Sequence, residues 1–437
     1  MKLTSTSMVA DMTETVTDAD VILRTYAELG GDERSDAELV ARVAHRVQRP
    51  REGHADSFIL HAPLEVLARA ALLPWVAPEG RAIARLRLVA VATQFEAQPA
   101  MVAAAPSASE QSPEHAASAL VAALSSADLE ATDQAALDLA ASASGAALTH
   151  LIGDAVLPSL AAAGHAPIFL YQLPRVSPRG DAPPVLLRPL ARELGRFPQL
   201  QLEWVQDRPT TGGSAAALAD ALASLPQLGV PGNTFIYPLM HQVDEQVAPE
   251  LMRPALGGVT VDDARPIILR SAARAMVMGP AEHAPYGWSH CLTMSQAALE
   301  IAPGLKDPSL GIAVAASNVV GFLAGLADAP IPRTVELDAP GGSFAAAVAG
   351  GMTTAAGYAF LAGDDELAAI RTDIVTAACA RHDAHLVKYT LACLDAMAAD
   401  PPAARLYLAA AATLLAYWTP IADPDDPLVD PDDLLAT

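Results

Sequence analysis

Cysteine is nearly missing from this chain of 437 residues: Cys291, Cys379 and Cys393 are the whole complement. Their number is odd and no two stand in CxxC spacing, which argues against a disulfide framework or a zinc knuckle and points to a reducing compartment. Basic residues are also scarce. Lys and Arg total 27 against 50 Asp and Glu, a formal charge of -23, whereas nucleic acid and anionic membrane both reward the opposite sign. Neither is expected as a partner, and phosphate-rich ligands are disfavoured. The acidic excess reads as a solubility feature, part of it in the tail "ADPDDPLVDPDDLLAT". The opening "MKLTSTSMVADMTETVTDAD" lacks a basic start followed by an apolar core, so no signal peptide and a cytoplasmic location are expected.

The common ligand-binding and nucleophile motifs are missing too. No GxGxxG follows a strand pattern, and there is no GxxxxGK[ST], GxSxG or HExxH. Rossmann, P-loop, α/β-hydrolase and zincin readings therefore have no residues to stand on. The Gly-rich "TTGGSAAALADAL" at 210–222 reads as a helix start capped by Thr or Ser rather than as an anion loop. Strand signals are sparse, and no fixed-period repeat is visible.

What is abundant is apolar residue at helical spacing. Hydrophobic residues make up 52% of the chain, enough for a sizeable core. Segments such as "DAELVARVAHRVQ", "PLEVLARAALLPWV" and most of 309–418 repeat them at three and four with Ala as filler. The expected fold is mainly α: one large bundle-like domain over 21–420, a flexible segment 1–20 before it and an acidic tail 421–437 after it. Prolines across 166–213 predict an irregular excursion lying over the helices, with room for a short hairpin. A further loop is expected at 106–115. Two uncharged runs, "PSLGIAVAASNVVGFLAGLA" and "FAAAVAGGMTTAAGYAFLAG", approach membrane-spanning length. Their Ala, Gly, Ser and Thr content and lack of basic flanks read instead as buried helices, so no membrane partner is expected.

Histidines interrupt this pattern. His61 in "FILHAPLEVLARA", His150 in "AALTHLIGDAV", His290 in "YGWSHCLTMSQAA" and His385 in "RHDAHLVKYTLAC" each stand in or beside an apolar stripe where Leu or Val is normal. Helical bundles build metal sites from such inward-facing side chains. A lone core histidine, by contrast, ordinarily just donates to a carbonyl, and the sequence alone leaves both readings open. Lys388 shares a helix face with His385, three residues earlier. A buried ammonium is costly, so that lysine must snorkel, pair with an acid such as Asp383, lose its proton or be modified.

Four of these segments, in order, resemble the questin oxidase-like proteins: His61-Ala62-Pro63, His150-Leu151-Ile152, Tyr286 through Thr293 around His290, and Asp383-Ala384-His385-Leu386-Val387-Lys388. The family tends to place Asn before the first histidine, and this chain has Leu60. The resemblance implies oxidative cleavage or oxygenation of polycyclic aromatic polyketides such as anthraquinones, a Baeyer-Villiger-like or ring-opening chemistry. It also implies a non-haem Fe(II) held by His61, His150, His290 and His385, with Lys388 converted to a carbamate ligand and a position left for O2. The partner would be a small hydrophobic aromatic substrate. Around that centre, His283 is a candidate for orienting substrate and His241, beside Asp244 and Glu245, for a base or an extra ligand. Glu65 is a candidate to hold an imidazole N–H. Tyr286, Trp288 and Trp204 are candidates for aromatic walls. Cys291 is not expected to act as a thiolate, and His45, His54, His115 and His165 read as surface residues. Two other classes fit the same residues: a metal-free NADPH-dependent oxidoreductase using the histidines as acid and base, and a non-catalytic helical protein that shields an aromatic ligand.

Overall fold

The computed structural model describes residues 19–51, 57–98, 102, 108–176, 186–229, 236–421, 426 and 428. Helices supply its regular structure, and the described residues contain no strand beyond isolated bridges such as that between Ser159 and Gln201. The fold is mainly α, as the periodicity predicts. The segment before residue 19, His54 and most of the acidic tail lie outside the described residues.

Local signals start the helices where capping rules place them. Ser35 and Glu38 form a reciprocal capping box at the head of Asp36–Val47, which satisfies two backbone donors that would otherwise lack partners. Asp383 caps Ala384–Ala399 by accepting from the Leu386 amide. One contiguous cluster of buried apolar side chains then runs from Ile22 to Leu428.

At the centre stands Ser289–Ile301, a helix buried on nearly every face. It packs against Ala166–Gln172, Val261–Met278, Pro308–Leu326 and Ala384–Ala399, and the last of these also packs against Ser57–Leu72 and Ala404–Trp418. Small residues allow the close approach. A Cβ added at Gly311 would come within 2.8 Å of the Ala298 carbonyl oxygen and 2.5 Å of the Ala302 methyl, so only glycine fits there.

The two uncharged runs differ from each other. Pro308–Leu326 is one helix, long and apolar enough to span a membrane by composition, with 89% of its window buried inside the protein. The second run breaks into Phe344–Ala349 and Met352–Leu361 at Gly350 and Gly351, the latter with φ of +103°. The proline-rich stretch contains no long continuous helix, as expected, and its described part from 196 to 213 is irregular and mostly unburied. Its described parts hold the helices Ala166–Gln172 and Leu187–Gly195, both largely buried, because proline in a first turn starts a helix rather than forbidding it. These two helices contribute to the core, and the pairing of Gln201 with Ser159 is an isolated bridge and not a hairpin.

Buried arginines tie distant segments together. The Arg69 side chain, 1% exposed, donates to Glu65 Oε1 at 2.7 Å, to the Cys379 carbonyl at 2.8 Å and to the Arg381 carbonyl at 2.7 Å. It thus locks Ser57–Leu72 to the turn that precedes Ala384–Ala399. Arg87 reaches the Ala380 carbonyl at 2.7 Å and both oxygens of Asp426, which anchors a piece of the acidic tail next to the fully buried Leu428.

Removing the cation from a buried pair strands the acid, at a cost of about 3–5 kcal/mol. Arg69→Leu is therefore expected to lower unfolding free energy by about that much, read by urea denaturation. The double variant Glu65→Leu/Arg69→Leu should recover part of the loss, and equal destabilisation by both would contradict this account.

Candidate metal centre

Four imidazoles and one amine meet in the middle of the helical core. His61, from Ser57–Leu72, places Nε2 3.2 Å from Nε2 of His165, which in turn lies 3.2 Å from Nε2 of His290 and 3.4 Å from Nζ of Lys388. His385 closes the group, its ring centroid 4.6 Å from that of His61 and 5.0 Å from that of His290. One ligating nitrogen from each of His61, His290 and His385 falls within 4.8 Å of the others. All five side chains are buried.

Each donor is aimed by its own stretch of backbone. His165 follows a turn in which Ala162, Ala163 and Gly164 have φ of +51°, +49° and +71°. Left-handed alanines cost of order 1–2 kcal/mol each and persist where surrounding structure holds them. This turn presents the Ala162 and Ala163 carbonyls to Nδ1 of His165 at 2.9 and 3.0 Å. A carbonyl only accepts, so Nδ1 carries the proton and Nε2 offers its lone pair to the centre. His290 is arranged the same way. A five-residue π turn, Ala284–Trp288, leads into its helix, and Nδ1 donates to the Tyr286 carbonyl. His385 has Nδ1 3.8 Å from the Asp383 carboxylate that caps its helix, and Lys388 projects one turn further along.

The electrostatics oppose positive charge on any of these groups. Burial, followed by the neighbouring Lys388 and imidazoles, pushes His61 and His165 well below the ordinary histidine range. Burial and the His165 and His385 rings do the same to His290. His385 is lowered by burial and Lys388, with Asp383 opposing. Burial pulls Lys388 down to about 7, against the pull of Asp383 and Glu65.

Neutral imidazoles create a difficulty of their own. His165 and His290 both have their protons on Nδ1, so their Nε2 lone pairs face each other at 3.2 Å with no hydrogen between them. A cation held between the two nitrogens would relieve this contact. Imidazole nitrogens bound to one transition-metal ion at about 2.0–2.1 Å lie roughly 3–3.4 Å from each other in octahedral or tetrahedral arrangements. The donor set therefore fits a metal ion by spacing, burial and protonation state.

The structure brings together His61, His290, His385 and Lys388 of the expected set, and it replaces the fourth histidine. His150 is exposed on Gly145–Val156 and has no ring contact with the group among the described residues. His165, expected at the surface, is 0% exposed and at the centre. The correction has a local cause: "AAAGHAP" looks like a solvent loop, yet its left-handed turn folds the imidazole inward. His283 packs edge-on to Trp288 at 6.1 Å, outside the cluster. His241 stands on the surface, 3.3 Å from Glu245 and stacked on Tyr237. Asp244 instead accepts from the Glu203 and Trp204 amides.

Glu65 is held by Arg69. Trp288 donates to the Pro280 carbonyl and Trp204 to Ser317, so both act as core supports. Burial raises the Cys291 thiol, which keeps it protonated. Tyr286 alone of the three aromatics reaches the centre: its ring meets that of His385 edge-on at 4.9 Å while remaining 48% exposed. Phe322 stacks beside His290 at 6.5 Å. One turn before it, Asn318 is 1% exposed with neither amide atom hydrogen-bonded.

The class that fold and site define is an all-α protein with a buried, histidine-rich centre able to hold a metal. No protein family, curated protein or solved structure matches the chain.

Cobalt(II) titration, followed by its visible absorption, separates the two fourth-histidine assignments. His165→Ala is expected to abolish tight binding and His150→Ala to leave it unchanged. The reverse order would return His150 to the centre.

Proposed function

We propose that the protein is a non-haem iron-dependent oxygenase acting on a hydroxylated polycyclic aromatic of the anthraquinone kind. Its metal would be held by His61, His165, His290, His385 and the carbamate of Lys388. The observation that carries the reading is the facing pair of Nε2 lone pairs on His165 and His290, with each ring's proton directed outward onto a carbonyl. Neutral nitrogen donors with one anionic oxygen donor suit iron. The resemblance of the His61, His290 and His385–Lys388 segments to questin oxidase-like proteins supports the choice of reaction.

Bound iron(II) would supply dioxygen activation and polarise a deprotonated phenol. The chain's own residues do the rest. The Ala162–Gly164 turn and the Tyr286 carbonyl fix two imidazoles in the tautomer that leaves Nε2 free, so no proton must leave them for a metal to bind. Lys388, with its amine brought to about 7 by burial, adds as the neutral base to carbon dioxide. One N–C bond forms as a C–O π bond of carbon dioxide opens onto its oxygen, one proton leaves the nitrogen, and the neutral amine becomes a carbamate anion. Tyr286 marks the side from which an aromatic substrate reaches the centre, since His385 and His61 are its least buried imidazoles, each 8% exposed. Phe322 and the surrounding apolar core keep water from the opposite side.

Protein purified without chelator or nickel resin, or reconstituted anaerobically with Fe(II), should carry near-stoichiometric iron by elemental analysis, falling sharply in Lys388→Ala. Isotopically labelled bicarbonate should give wild type a carbamate carbon resonance that the variant lacks. Turnover of hydroxyanthraquinones should need both iron and O2. Protein that takes up no transition metal after reconstitution would sink this reading and leave the metal-free NADPH-dependent oxidoreductase or the ligand-shielding protein.

A further inference from the structure

A second site lies on the other side of the Pro308–Leu326 helix. Phe322 points to His290, while the next residue, Leu323, lines a separate cavity of about 280 Å³. Consecutive helix residues diverge by about 100°, so the two spaces face different directions. The cavity is bounded by Ala215–Ala223, Val261–Met278, Pro308–Leu326 and the segment after it. Leu222 and Ile267 join Leu323 in an apolar wall, and Arg270, Arg274 and Arg333 supply the polar part.

Three arginines and no acid line this cavity, in a protein with a formal charge of -23. Two of the three are neutralised from outside it. Arg270 is held by both oxygens of Asp400 at 2.7 Å, and Arg333 by Asp220 at 2.8 Å and the Ala219 carbonyl at 3.0 Å. Arg274 has no hydrogen bond or ion pair among the described residues. It is half-buried, and both burial and the adjacent Arg270 and Arg333 work against its charge. A guanidinium is charged at all ordinary pH and presents a planar fork that matches a carboxylate or sulfonate.

We propose that this cavity is a binding site for a compact organic anion, with its apolar body against Leu222, Ile267 and Leu323 and its carboxylate or sulfonate paired with Arg274. The volume is near the lower end of ordinary small-molecule sites, which limits the ligand to about the size of a two-ring aromatic acid. The proposal is independent of the metal reading, because none of its residues belongs to the histidine centre.

Calorimetric titration of the full chain with naphthoate, its neutral alcohol isostere naphthalenemethanol, and inorganic phosphate tests both halves of the recognition. Naphthoate should bind at one saturable site. The alcohol should bind at least about tenfold more weakly, the worth of one charge-assisted contact, and phosphate alone should not saturate. Arg274→Gln should remove the acid's advantage, and His290→Ala should leave it intact. Ala223→Trp, placed at the exposed rim, should block binding while keeping Arg274, so the test survives if the arginine variant fails to fold. Equal affinity for acid and alcohol, no naphthoate binding, phosphate binding as strong as naphthoate, or sensitivity to His290→Ala in place of Arg274→Gln would each overturn the proposal.

Discussion

Two ring nitrogens facing each other with no proton between them are the constraint around which this protein is arranged. The contact between His165 and His290 brings together two nitrogens neither of which can donate to the other. The backbone holds them nonetheless. Carbonyls from two separate turns take the Nδ1 protons, and these turns are the least regular segments near the centre: one left-handed across three residues, the other a π turn. Irregular backbone in the heart of a helical bundle is where strain is expected to serve function.

The surrounding architecture supports that geometry at a distance. Ser289–Ile301 touches four other core helices, so any shift of His290 would disturb the packing of each. The Arg69 fork joins the helix bearing His61 to the turn ahead of His385 and Lys388. Its negative partner, Glu65, contributes a second effect, because it lies close enough to favour charge on Lys388 and His385. One buried pair therefore serves both position and potential.

Much of this was legible in the sequence, and the failures have physical causes. Helical periodicity identified the fold, and histidines standing on apolar stripes located three of the four imidazoles and Lys388. His150 satisfied the same pattern and misled, because a stripe fixes only which face a residue shares, and the face bearing His150 is the solvent side of its helix. His165 broke the pattern and was missed. Its place depends on a run of positive φ at Ala162 and Ala163, and nothing in an alanine advertises a left-handed conformation. The proline-rich stretch was read correctly as irregular, but its two short buried helices were not seen, because Pro167 and Pro189 sit in first turns, where they start helices. The cavity around Arg274 was invisible as well, since Arg333 joins Arg270 and Arg274 from a separate segment and their pairing is decided only by the folded chain.

The positions of the donors along the chain, 61, 165, 290 and 385 to 388, set an order of events during synthesis. His61, His290 and the His385–Lys388 pair stand on three different helices and His165 just before a fourth, and more than 300 residues separate the first donor from the last. A ribosome-bound chain can fold its early helices as they emerge, but the centre has no complete set of donors until Lys388 has left the exit tunnel. Until then His61, His165 and His290 are available without their closing partner, and the facing lone pairs disfavour their premature collapse. Assembly of the centre thus waits for the helix that bears His385 and Lys388.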